Sequence, residues 1–231
     1  MSIAENIARV RANMAEAARE SGRNPDDILL VGASKMNDTA ACREAVAAGI
    51  DALGENRVQE MVQKLAENAY EGAPLHFIGH LQRNKVKQVV GRVALIQSVG
   101  SLELLEEIEK VAAARELTQD ILLEVNIGRE EAKSGFFSEN LTAAAEAALA
   151  KSHIGVRGIM TIPPADADRE ENMRYFQEVQ ALYVDINTKL FHNKLEYLSM
   201  GMSGDYADAI RCGATMVRVG SAIFGARHYH E

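Results

Sequence analysis

The 231-residue chain is 47% hydrophobic and 25% charged, which is typical of a globular protein with a sizeable core and fits the roughly 200–250 residues of a single α/β barrel. Its formal net charge of -8 argues against non-specific nucleic-acid binding, and no apolar run approaches the roughly 18 residues that span a bilayer. Cys42 and Cys212 lack the spacing of a zinc site or a disulfide framework. The N-terminus also lacks the features of a signal or transit peptide, so we expect a soluble cytoplasmic protein.

Taken in chain order, the hydrophobic pattern predicts one leading helix and then eight strands that alternate with helices. The helix covers about 2–20, and the strands lie near 28–35, 51–56, 75–79, 94–99, 121–126, 156–162, 197–200 and 216–220. Strict alternation indicates a parallel sheet, and eight units close a (β/α)8 TIM barrel. The alternative, an open doubly wound sheet, is less favoured because no strand is followed by GxGxxG. We predict a single domain over residues 1–231.

The first predicted strand ends on a lysine, Lys35, after the apolar run that begins at Ile28. Enzymes with α/β folds place their chemistry at the carboxyl ends of strands. A lysine held beside apolar neighbours loses its proton more easily than a solvated one, which suits it to Schiff-base formation. By itself the pattern also fits an ordinary surface lysine. In a barrel, however, it would share one mouth with polar residues that end the other strands: Glu55, Asn56, His80, Gln82, Ser98, Asn126 and Thr161.

The turns after the last two strands are rich in glycine and serine. Residues 199–205 read SMGMSGD, and the neighbouring turn contains Gly220 and Ser221. The free N–H groups of the first turn, which contains Ser199, Met200, Gly201 and Ser203, and the Ser203 hydroxyl could face an anion. Many barrels bind phosphate at these two loops. Alternatively, the glycines serve tight turns and Ser203 caps a helix.

Arg218 lies between Val217 and Val219, where a guanidinium needs a partner. Either an acid such as Asp205 or Glu124 supplies it, or the arginine donates to a heteroatom of a ligand. A lysine, a phosphate site and an inward arginine together fit pyridoxal 5'-phosphate (PLP).

Other candidate residues favour no further site. His76 and His80 straddle a strand end, so we predict no metal pair there. His228 and His230 are expected to be solvated, and Met200 and Met202 to pack in the core.

Seven stretches of the chain resemble the pyridoxal phosphate homeostasis protein family, over essentially the full length. They are VGASK at 31–35, GENRVQE at 54–60, HFIGHLQRNK at 76–85, KSG at 133–135, RGIMTIP at 157–163, LSMGMSGD at 198–205 and VRVGSAIFGAR at 217–227. The family is similar to the barrel domain of alanine racemase. Two departures are His80, where a proline or small residue is expected, and the Met36-Asn37 pair, where a threonine commonly follows the lysine.

The resemblance implies a role for six residues of the predicted cofactor site. Lys35 would carry PLP as a Schiff base, and Arg218 would meet the pyridine nitrogen. Ser203, Gly220 and Ser221 would hold the phosphate, and Asn56 would line the cofactor.

Three functions are compatible with these residues: a PLP carrier without turnover, a PLP-dependent amino-acid racemase, and a barrel aldolase that uses Lys35 without a cofactor. Racemisation needs an acid–base group on each face of the substrate. Alanine racemase uses a tyrosine from a separate domain that this chain lacks. The tyrosines of this chain offer no obvious replacement, although Tyr206 lies near the predicted phosphate loop. An arginine at the pyridine nitrogen also makes the ring a poorer electron sink. We therefore predict a monomeric PLP carrier, not an enzyme, whose possible partners are apo PLP-dependent enzymes.

Overall fold

The computed structural model describes residues 1–225, in which eight parallel strands form a closed barrel. The sequence prediction of a (β/α)8 barrel is confirmed. The strands pair in chain order, and β1 pairs with β8 to close the barrel. Their bounds are β1 Leu29–Ala33, β2 Ala52–Glu55, β3 Leu75–Phe77, β4 Leu95–Val99, β5 Gln119–Val125, β6 Ile154–Thr161, β7 Tyr197–Ser199 and β8 Met216–Val219.

The helices surround the barrel and follow the predicted order. They are α1 Ile3–Glu20, α2 Thr39–Ala47, α3 Val58–Ala66, α4 Val86–Val89, α5 Leu102–Ala114, α6 Leu141–Leu149, α7 Arg169–Lys189, α8 Tyr206–Arg211 and α9 Ser221–Phe224. Two predicted helices begin with a 3-10 turn, at Arg83–Lys85 and Ser138–Asn140. Within residues 1–225 no helix is both long and apolar enough to cross a membrane. His228 and His230 lie outside the described residues, as do the last two residues of the 217–227 stretch.

The leading helix α1 packs against the last described part of the chain. A capping box between Ser2 and Glu5 starts the helix. Its apolar stripe is buried, as predicted, and it packs against α8 and α9. The side-chain amide of Asn6 donates to the carbonyl of Ile223 at 2.8 Å. Helix α1 thereby holds α9, and with it the loop that follows β8.

Side-chain alternation along the strands divides the core into two parts. A small cluster fills the barrel interior and comprises Val31, Ala52, Leu95, Leu122, Met160 and Met216. A much larger apolar cluster lies between the strands and the surrounding helices. On β8, Met216 faces the interior, so Arg218, two residues further on, faces it as well. Alternation therefore decides which polar residues can reach the mouth of the barrel.

Candidate functional site

Arg218 lies in the barrel interior, with a relative exposure of 3%. Its NH1 group donates to the hydroxyl of Ser199 at 2.5 Å, and its NH2 group donates to the carbonyl of Thr161 at 2.8 Å. Burial lowers the pKa of Arg218 to about 10, against the opposing charges of Asp205 and Glu124. Among residues 1–225 neither carboxylate contacts the guanidinium as an ion pair or hydrogen-bond partner. Neutral groups thus replace the acid partner considered from the sequence.

A directed chain of hydrogen bonds continues below Arg218. The hydroxyl of Ser199 donates to Gln97 Oε1 at 2.6 Å, and Gln97 Nε2 lies 2.9 Å from Nδ1 of His76. Because the Gln97 amide nitrogen is a donor, Nδ1 of His76 must accept, which requires the neutral imidazole. Burial agrees with this, since it lowers the pKa of His76 to about 4. Ser199, Gln97 and His76 therefore form a neutral, hydrogen-bonded relay at the floor of the barrel mouth. This relay fixes the position of the Arg218 guanidinium.

The turns after β7 and β8 meet at one hydroxyl oxygen, as the sequence predicts for adjacent strands. Ser203 Oγ accepts hydrogen bonds from the backbone N–H groups of Gly220 at 3.2 Å and Ala222 at 3.3 Å. Ser221 is exposed beside them and begins α9. Backbone N–H groups that converge on one oxygen form the kind of cradle that binds a phosphate.

Lys35 follows β1 and is half-buried. Ser34 points away from the interior, because its hydroxyl donates to Glu55 Oε1 at 2.7 Å in the layer between barrel and α3. Lys35 lies in the turn that directly follows β1, a strand on which Val31 belongs to the interior cluster. The end of β1 also lies close to the cradle formed at Ser203 by the loops after β7 and β8. A Cβ built on Gly220 would be 3.3 Å from the carbonyl oxygen of Ala33.

A cavity of about 380 Å³ opens at the same end of the barrel. Its polar lining includes Asn56, Glu124, Asn126 and Lys133. Asn56 Oδ1 is buried and has no hydrogen-bond partner within the described part of the chain, and a buried amide oxygen of this kind suits a ligand donor. Burial raises the pKa of Glu124, which accepts a hydrogen bond from Ser134 at 2.9 Å.

Several residues predicted to share the mouth are used elsewhere. Glu55 faces outward, toward α3, and is fully buried. The hydroxyls of Ser98 and Thr161 donate to the backbone carbonyls of Gly79 and Val125, at 2.5 and 2.8 Å. These three side chains stabilise the barrel wall and the loops at its rim.

The residues that follow Ser199 have different surroundings. Met200 packs in the outer core, and its N–H donates to the carbonyl of Met216 at 3.1 Å. Gly201 accepts a hydrogen bond from the N–H of Arg218 at 3.0 Å. Met202 is 39% exposed, so the expectation that it packs in the core is wrong.

Sequence reasoning missed the floor of the site. The sequence does not single out Gln97, and it offers His76 only as a potential metal ligand. The available signal was their position, since each is a polar residue within an apolar strand. Glu124 was considered only as a partner of Arg218, although its place two residues before Asn126 puts both on the interior face of β5.

The fold and the site together define a barrel of the alanine racemase type. A family model described as alanine racemase, N-terminal domain, matches residues 5–228. The alanine racemase of Clostridium difficile 630 in complex with cycloserine superposes with a TM-score of 0.74, over 96% of this chain and 60% of that one. At 15% sequence identity this likeness concerns the fold alone.

Two further comparisons are much more specific. A pyridoxal phosphate homeostasis protein of Aquifex aeolicus is 39% identical over 229 residues, covering 99% of this chain and 100% of the relative. The structure of PipY from Synechococcus elongatus with PLP bound is 31% identical, with a TM-score of 0.84 over 97% of this chain and 100% of that one. The chain belongs to the pyridoxal phosphate homeostasis protein family.

Proposed function

We propose that this protein binds PLP as a Schiff base on Lys35 and serves PLP homeostasis in the cytoplasm, with little or no turnover of its own. The names of its relatives and the PLP-bound structure of PipY support the proposal. The observation that carries it is the meeting of three groups at one end of the barrel. These are the interior arginine Arg218, the cradle at Ser203, and the end of β1, which Lys35 follows two residues later.

The chemistry of these residues fits the parts of the cofactor. When bound, PLP supplies an aldehyde that condenses with an amine. Arg218 has five N–H donors, and its contacts with Ser199 and Thr161 occupy two of them. Those that remain suit an unprotonated pyridine nitrogen. Asn56 brings an unpaired amide oxygen to the cavity at this end of the barrel.

The phosphate would be held where the loops after β7 and β8 meet. Ser203 would supply its hydroxyl, and the N–H of Gly220, which here donates to Ser203 Oγ, would turn to a phosphate oxygen together with the N–H of Ser221 at the start of α9. Ser199, Met200 and Gly201, also predicted from the sequence, would act beneath this loop. Ser199 holds Arg218, and the backbones of Met200 and Gly201 join β7 to β8.

The racemase alternative needs a second acid–base group at the cavity. The hydroxyl of Tyr206 instead accepts from the side chain of Asn13 at 3.1 Å, on the outer face near α1. Each of the other described tyrosines has a partner of its own. Tyr70 pairs with Glu55, Tyr175 with Glu171, Tyr183 with the carbonyl of Leu195, and Tyr197 with Glu196. Tyr229 lies outside the described residues. These contacts support a carrier in preference to a racemase.

Reaction with PLP, followed by borohydride reduction and peptide mass mapping, tests the central proposal. The purified protein should gain visible absorbance, and the reduced label should map to Lys35. A protein that takes up no PLP, or a label on other lysines alone, would overturn it. Solvent-deuterium exchange at the α-carbon of alanine would instead favour the racemase. Reactivation of an apo PLP enzyme tests delivery, and light scattering tests the expected monomer.

A further inference from the structure

A buried ion cluster lies behind the segment that carries Lys35, on the outer side of the barrel wall. Lys64 of α3 has a side chain only 6% exposed, and its Nζ lies 2.7 Å from an oxygen of Glu55 and 2.7 Å from an oxygen of Glu60. Burial alone would lower the pKa of Lys64, but the charges and hydrogen bonds of the two glutamates raise it above its ordinary value. The lysine is therefore charged at neutral pH.

The cluster binds the main chain immediately before Lys35. Lys64 Nζ donates to the carbonyl oxygen of Ser34 at 2.8 Å. The hydroxyl of Ser34 donates to the same Glu55 oxygen that contacts Lys64, at 2.7 Å. The backbone carbonyl of Ser34 is thus held by a charged donor, which forms a stronger hydrogen bond than a neutral one. Its side chain is held by Glu55, whose pKa is raised by burial.

The same cluster binds the main chain immediately after Lys35. The backbone N–H of Met36 donates to Glu60 Oε1 at 2.6 Å. Met36 has φ = 62°, in the left-handed region that costs a residue with a side chain about 1–2 kcal/mol. The contact with Glu60 helps to keep this turn, which redirects the chain directly after the lysine.

We propose that Glu60 and Lys64, with Glu55, are positioning residues that hold the main chain on both sides of Lys35 and so aim its amine at the cofactor aldehyde. This inference rests on the proposed function. In the reaction the amine nitrogen forms a bond to the aldehyde carbon, and the carbonyl oxygen leaves as water. The three cluster residues lie outside the cavity and act only through the backbone of the segment.

Stability alone gives little reason for such a cluster. Replacing buried ion pairs by apolar residues of similar volume is often neutral or stabilising. Its contacts, however, converge on the two residues that flank Lys35. A misplacement of about 1 Å can reduce the rate of a positioned reaction by roughly a hundredfold, so a fixed backbone has a direct chemical value here.

Two variants at Glu60 separate positioning from general structure. Glu60→Ala removes the acceptor for the Met36 N–H, whereas Glu60→Gln keeps an acceptor oxygen at the same place. We expect Glu60→Ala to slow Schiff-base formation with PLP by about tenfold or more, and Glu60→Gln to recover most of the rate. Gln63→Ala, which changes an exposed residue on the same helix, should react like the unmodified protein.

Pyridoxamine 5'-phosphate provides the second readout, because it has the ring and phosphate of the cofactor but no aldehyde. Its dissociation constant should be unchanged in Glu60→Ala, since the cradle and Arg218 are intact. If Glu60→Ala and Glu60→Gln react with PLP at the same rate, the inference is overturned. If binding of pyridoxamine 5'-phosphate falls in parallel with the PLP rate, it is overturned too.

Lys64→Met extends the test to the contact with Ser34. This variant should likewise slow the reaction with PLP by a larger factor than it weakens the binding of pyridoxamine 5'-phosphate. Should this variant fail to fold, the Glu60 pair decides. The unmodified protein provides the separate test of the proposed function. If it forms no reducible adduct on Lys35, the proposed function fails; if it does and Glu60→Ala reacts equally fast, only the positioning inference fails.

Discussion

The guanidinium of Arg218 donates to the hydroxyl of Ser199 at 2.5 Å, and this neutral contact stands where an ion pair would be expected for a buried arginine. A carboxylate in contact with Arg218 would compete with any ligand for the positive charge. A hydroxyl fixes the side chain without neutralising its charge, which stays available to a ligand. The relay through Gln97 to His76 then satisfies the hydroxyl in turn.

Ser199→Ala should destabilise the fold. The substitution leaves Gln97 Oε1 and one N–H of Arg218 without their partner inside the barrel, and unsatisfied buried groups cost about 1–3 kcal/mol. We expect the free energy of unfolding, measured by urea titration, to fall by that amount. Ser152→Ala, at an exposed serine, should change it by less than about 0.5 kcal/mol. Equal effects of the two variants would contradict the relay.

His76 should make the protein sensitive to mild acid. The pKa of His76 is about 4 in the fold, against 6.5 for an ordinary histidine, so the unfolded chain binds a proton between these values and the folded one does not. This contribution to stability is complete above about pH 6.5 and decreases as the pH falls, by about 3 kcal/mol at pH 4.

His76→Asn keeps an acceptor for Gln97 but removes the titrating ring. The loss of unfolding free energy between pH 7 and pH 4.5 should therefore be smaller in His76→Asn by about 2–3 kcal/mol. Ser152→Ala, at an exposed serine, should follow the unmodified protein. Parallel pH profiles for all three proteins would show that His76 does not govern this range.

The barrel was predictable because each strand has a recognisable local sequence pattern. Runs such as residues 28–31 and 121–123 are apolar without interruption, as strands covered on both sides must be. Glycines or polar residues end each run, and strict alternation with helices leaves few topologies. Short helices were predicted less well, since the chain at Arg83–Lys85 forms a 3-10 turn before α4 begins.

The candidate site was predictable only in part, because the facing of a residue depends on strand register. Glu55 and Asn56 are adjacent in sequence, yet the first faces α3 and the second lines the cavity. The contacts of Gln97 with His76 and Ser199 join three different strands. No local pattern encodes such contacts, because they depend on how the barrel closes.

Gly201→Ala should destabilise the turn after β7. Gly201 has φ = 94°, and a Cβ there would lie 2.6 Å from Ala209 Cβ and 2.9 Å from Tyr206 Cα. Backbone strain of this kind costs about 1–3 kcal/mol, and the clash with α8 adds to it. Gly204→Ala, in the same loop with no atom within 4 Å, is the matched control. Thermal unfolding should separate the two variants, and identical midpoints would contradict the packing described here.

Ser203→Ala should weaken binding of the phosphate group in particular. The hydroxyl of Ser203 lies where the N–H groups of Gly220 and Ala222 converge, and a hydrogen bond to a charged group contributes about 1.5–3 kcal/mol. The dissociation constant of pyridoxamine 5'-phosphate should thus rise by about tenfold or more, whereas that of pyridoxamine, which has no phosphate, should not change. Lys35→Ala removes the amine but leaves the cradle, and should still bind pyridoxamine 5'-phosphate. If Ser203→Ala weakened both ligands equally, the loops after β7 and β8 would not be the phosphate site, and the orientation proposed for the cofactor would have to be reversed.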